Sequence, residues 1–180
     1  MQSNTKPTNQ NIRRLTFSAL CLALCLLLPF VTGQIPQVGS TLCPMHLPIF
    51  LAGFLCGPWW ALLVGITAPL LRHFLFSMPP LITALAMSGE LATYGLLSGL
   101  MYRKLPKTMS GIYASLMIAM IAGRIIWGIL KVLMTGISGE AFTWAMFLAG
   151  AVTNAIPGIL IQLILIPVLV SALHKSKILN

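Results

Sequence analysis

Charge is almost absent from long stretches of this chain, and that constrains its fold more than any other property. Six apolar segments, 15–31, 46–57, 59–76, 81–101, 111–135 and 142–173, take up most of the 180 residues. The chain is 58% hydrophobic and 7% charged, with a mean hydropathy of +0.95; a soluble domain carries roughly 25% charged residues. In hydrocarbon the backbone must satisfy its own hydrogen bonds, so an apolar run of about 20 residues crosses as a helix. The expectation is an all-α integral membrane protein, a six-transmembrane-helix bundle forming one domain over 1–180. The short polar tails, 1–14 and 174–180, leave no room for a soluble domain.

Lys and Arg set the orientation. Arg13 and Arg14 precede the first segment, Arg103, Lys104 and Lys107 fall between the fourth and fifth, and Lys175 and Lys177 follow the last. The other short connections hold neither residue. Both termini and the 102–110 loop are therefore expected in the cytoplasm, with 32–45, 77–80 and 136–141 outside. The basic start and the small residues Val31-Thr32-Gly33 resemble a secretory leader. The apolar remainder makes an uncleaved first span the more natural reading.

Several function classes are excluded. The net charge of +9 comes mostly from residues flanking the spans, which argues against nucleic-acid binding. No Gly-rich phosphate loop is present, so uphill transport would draw on an ion gradient or a partner. Cys21, Cys25, Cys43 and Cys56 form neither a disulfide framework nor, with histidine, a zinc spacing. No catalytic residue set is arranged, and no metal or cofactor is expected.

The candidate chemistry lies in a few deep polar residues. Glu90, one of two acidic residues, sits inside the fourth segment, where a bare carboxylate costs roughly 2.5–3.5 kcal/mol. Arg124 comes at similar depth in the fifth, and a neutralising ion pair is plausible, either as a structural register pin or as part of a site. Arg124, Trp127 and Lys131 share a helix face; so do Glu90 and Tyr94, and on the sixth segment Phe147, Asn154 and Ile161. Together Glu90, Tyr94, Arg124, Trp127, Lys131 and Asn154 are expected to line an outward pocket of aromatic walls and few polar groups. Lys131 can alternatively snorkel to the interface, Trp127 can face lipid, and Asn154 can bond a neighbouring helix. The polar 32–45 loop is a candidate lid. His46, which follows it, is placed at the membrane interface and counted among the binding candidates. Arg72 and His73 are read as headgroup contacts. Ala19-x-x-x-Ala23, Gly53/Gly57 and Gly95/Gly99 are close-approach pairs, suited to packing within the chain or against a partner.

The run LCPMHLPIFLAGFLCG at 42–57, PWWALLVGITAPLLRHFLFSMPPL after it and AMSGELATYGLLSGLMY at 86–102 resemble the substrate-binding S components of energy-coupling factor (ECF) vitamin transporters. Ala19 and Ala23 match the family's first-helix Ala-x-x-x-Ala motif, and the resemblance covers 12–173. It implies a multi-pass protein of a bacterial plasma membrane that binds a small vitamin ligand from outside. It further implies a transmembrane coupling subunit contacted through Ala19 and Ala23, and two cytoplasmic ATPase subunits. Residues around 45–48 and 78–80 are most similar to the pyridoxine or hydroxymethylpyrimidine branch, with pantothenate and cobalamin-precursor members as neighbours. The aromatic wall suits a flat ring, and the outer cations also suit a carboxylate. A stand-alone proton-coupled transporter or channel working through Glu90 is the alternative; a membrane-embedded enzyme lacks a catalytic set.

Overall fold

A computed structural model describes residues 7–31, 41–137, 143–151 and 153–176. Among them the chain is helical throughout: α1 (Pro7–Val31), α2 (His46–Cys56), α3 (Pro58–Phe76), α4 (Leu81–Lys104), α5 (Met109–Ile137), α6 (Trp144–Ala151), a 3-10 turn (Thr153–Ala155) and α7 (Ile156–Lys175). The tail residues 1–6 and 177–180, most of the expected lid loop (32–40) and the connection 138–142 lie outside the described residues.

Local chemistry sets the breaks. Gly57 ends α2 at φ 94°, a conformation that side chains disfavour, and Pro58 opens α3 where its missing N–H costs nothing. Ser77 closes α3 in the left-handed region, its N–H donating to the His73 carbonyl. Leu105 and Pro106 stop α4 after Arg103 and Lys104, cations that suit a helix C-terminus. Thr108 then caps α5 by accepting from the Gly111 N–H at 3.3 Å.

Five stretches among the described residues are long and apolar enough to cross a membrane, the last of them the combined Trp144–Lys175. The 46–57 segment, expected as a sixth full span, is an 11-residue helix. It covers only about 16 Å at 1.5 Å per residue, because the turn at Cys43–Met45 and the Gly57–Pro58 break confine it. Protein surrounds it on almost every side: nine of its residues are buried. The 142–173 segment is also not one helix. It divides at the 3-10 turn, and Pro157 sits in the first turn of α7 rather than kinking a longer helix.

Helix α4 forms the centre and packs against α2, α3 and α5. Small residues let it do so. A Cβ on Gly65 of α3 would stand 2.5 Å from the Leu91 carbonyl oxygen, and one on Gly95 of α4 would stand 2.6 Å from the Ala61 oxygen. Gly53 and Gly99 meet across α2 and α4 in the same way. The 53/57 and 95/99 pairs therefore serve packing within the chain. The outer faces of α1, α3, α5 and α7 expose Leu20, Leu27, Phe74, Ile121, Ile129 and Ile164, among others, as lipid-facing surfaces do.

Candidate functional site

Glu90 projects from α4 toward the N-terminal end of α2 and the middle of α5. Its Oε1 lies 3.0 Å from Arg124 Nη1 and accepts a 2.6 Å hydrogen bond from the Tyr94 hydroxyl one turn along. His46 Nε2 is 3.5 Å from the same oxygen, a long contact that falls short of a hydrogen bond. The carboxylate side chain is 2% exposed and that of Arg124 15%, so Arg124 is the edge of the cluster and Glu90 its floor. The other end of the guanidinium, Nη2, reaches Cys43 Sγ at 3.8 Å. Aromatic contacts hold the group together. The Tyr94 ring stacks on Phe50 with centroids 4.8 Å apart and touches the His46 ring at 5.4 Å, while Gly123 on α5 leaves room for the Tyr94 ring. A charged hydrogen bond and an ion pair on one buried carboxylate are what its desolvation requires.

The expected pair of Glu90 and Arg124, and the company of Tyr94, are present as geometry. His46 departs from the interfacial placement: it is buried, because α2 begins inside the bundle rather than at its edge. Its Nδ1 has no hydrogen-bond partner among the described residues. Lys131 Nζ bonds Thr83 Oγ1 at 3.2 Å, tying α5 to the first turn of α4. Trp127 is half-buried. It meets the Phe147 ring at 6.3 Å and lies over Gly150, and Phe147 in turn stacks on Trp144 at 5.1 Å. Asn154 is not gathered in: the 3-10 turn breaks the face it was expected to share with Phe147 and Ile161, and it is exposed.

Two other polar residues differ from expectation. Arg72 is buried, not at a headgroup. Its Nη1 donates to the Leu26 carbonyl at 2.7 Å, and its guanidinium lies against the rings of Phe30 and Phe76, which meet each other edge-on at 4.9 Å; these contacts clamp α1 to α3. His73 Nδ1 is 2.8 Å from the Pro79 carbonyl. Gln162, a residue outside the expected site, is buried on α7 with its side-chain nitrogen unpartnered among the described residues. The i, i+4 series Gly158, Gln162, Ile166, Val170 is the signal that places it on a buried face. On α1, Ser18, Cys21 and Cys25 turn inward while Ala19 and Ala23 are exposed, so the Ala-x-x-x-Ala pair is not used for packing within the described chain.

No individually curated protein and no solved structure matches this chain. The family profile described as "ECF transporter, substrate-specific component" matches residues 13–170. Such components are membrane-embedded substrate-binding subunits, not enzymes, and they act with the coupling and ATPase subunits of the transporter. With the match running over nearly the whole chain, and with helices able to span a membrane, the protein belongs to the substrate-specific components of ECF transporters.

Proposed function

We propose that the chain is the high-affinity binding subunit of an ECF importer for a small vitamin or vitamin precursor of the pyridoxine or hydroxymethylpyrimidine class. Pantothenate is the main competing class. The observation that carries this reading is the buried cluster of His46, Glu90, Tyr94 and Arg124, drawn from α2, α4 and α5. Three ionisable side chains and a phenol at one point in an apolar bundle are costly unless they serve a site. In this reading the substrate enters from the outer face past Lys131 and Trp127 and rests against Arg124, with the flat ring along the aromatic wall. The exposed Ala19 and Ala23 form the contact for the coupling subunit, and the bundle is a six-helix one with both termini in the cytoplasm.

The test is mass spectrometry of small molecules that co-purify with the protein, followed by calorimetric titration of the candidate. A vitamin-sized heterocycle bound one to one supports the reading. Purified protein that carries and binds no small molecule overturns it. Glu90 held by Arg124 and Tyr94 disfavours the proton-carrier alternative, since a proton carrier must release and regain its proton easily. Proton-driven uptake by the protein alone, in vesicles without ATPases, would restore that alternative.

A further inference from the structure

Resting on that reading, we infer that the cluster takes a neutral ring bearing a hydroxyl group, which donates its proton to His46 Nδ1, and that it does not take a carboxylate. Charge balance is the first reason. Glu90 and Arg124 cancel at 3.0 Å. Both ends of the guanidinium already face protein: Nη1 the Glu90 carboxylate and Nη2 the Cys43 sulfur. A ligand carboxylate would be a second anion sharing one cation in a buried site, where unbalanced charge is strongly penalised.

The histidine tautomer is the second reason. His46 Nε2 faces the carboxylate at 3.5 Å. A lone pair there would repel the carboxylate, so the neutral ring carries its proton on Nε2. Nδ1 is then a bare acceptor, buried and without a partner among the described residues. Buried polar groups are normally paired, and an unpaired one marks a missing partner. A bare imidazole nitrogen accepts from O–H or N–H and rejects a carboxylate, which is itself only an acceptor. Gln162 adds a second polar group on the facing helix. Gly158 of α7 packs on the Thr41 and Leu42 carbonyls, and Gln162 lies one turn along the same buried face with its amide nitrogen unpartnered.

The experiment is calorimetric titration of the purified protein in nanodiscs with four probes: hydroxymethylpyrimidine, its methyl ether, the matching pyrimidine carboxylate, and pantothenate. The hydroxyl compound is expected to bind best, with the ether weaker by about 10-fold, the loss of one hydrogen bond of ~1.4 kcal/mol. In His46→Phe the hydroxyl and ether affinities should converge. In His46→Asn, whose side-chain oxygen can accept in place of Nδ1, the preference should return. The Asn variant keeps the test decisive if the Phe variant does not fold. Tighter binding of either carboxylate overturns the inference, as does an ether penalty that survives in His46→Phe or an Asn variant without the preference. If none of the probes binds but another small molecule co-purifies, this inference falls and the proposed function stands. If nothing binds or co-purifies, both fall.

Discussion

Removing one member of the Glu90–Arg124 pair should cost far more than removing both, and the two single losses should be unequal. At 3.0 Å and an effective dielectric of about 20, the attraction is on the order of 5 kcal/mol before desolvation. Stranding a buried partner costs about 3–5 kcal/mol. Arg124→Gln leaves the carboxylate at 2% exposure with only Tyr94 and the long His46 contact, so the upper part of that range applies. Glu90→Gln strands a cation whose side chain is 15% exposed and whose long stem can turn its head outward, so its loss should be smaller, about 1–3 kcal/mol by that reasoning. The double variant Glu90→Gln/Arg124→Gln replaces two buried charges by two amides that can bond each other, and should regain most of the loss. The assay is thermal unfolding of the purified proteins in one detergent. The Arg124 variant should melt on the order of 10 °C below the parent for a chain of this size, and the double variant within a few degrees of it. Additive losses, or an Arg124 variant as stable as the parent, would refute the reasoning. Ligand titration of the same double variant separates scaffold from site: parental affinity in a well-folded protein would reduce the pair to scaffolding.

Other expectations follow from the geometry. Ala19→Trp with Ala23→Trp, both on an exposed face, should abolish co-purification with the coupling and ATPase subunits and leave ligand binding within about 2-fold; an intact complex would remove the proposed contact. Gly65→Val should destabilise by at least about 2 kcal/mol, since its Cβ meets the Leu91–Ala92 backbone at 2.5–2.6 Å, and unfolding at the parental temperature would show that the helices do not approach so closely. Native Cys43 is a poor topology reporter, because it is buried and burial pushes its thiol up from the ordinary range, which slows thiolate chemistry. In a chain stripped of its cysteines, an impermeant thiol reagent on intact cells should label Ser77→Cys and spare Lys107→Cys, both exposed positions; the reverse would invert the orientation.

The sequence by itself determined the class of this protein. Apolar runs of about 20 residues without charge cross a membrane as helices, since a helix satisfies its own backbone in hydrocarbon. Gly57–Pro58 marks a break by local sterics that need no neighbours. The partnership of Glu90 with Arg124 was also legible, because the two share a depth and each makes the other affordable. Tertiary structure alone decided the rest. The 46–57 run reads as apolar whether it spans a bilayer or sits as a short helix within protein, and only its packing between α1, α3 and α4 separates the two. For the same reason His46 and Arg72 read as interfacial while their surroundings bury them: burial depends on which helices stand beside a residue, which no window of sequence contains. Asn154 was misplaced because a helical face was extended across a stretch that the structure turns into a 3-10 break. Gln162 was missed because its place on a buried face shows only when it is taken together with Gly158, Ile166 and Val170 as one i, i+4 series on α7. Composition fixes the solvent a chain must live in; the meeting of side chains distant in sequence, and with it the site, is a property of how the helices pack.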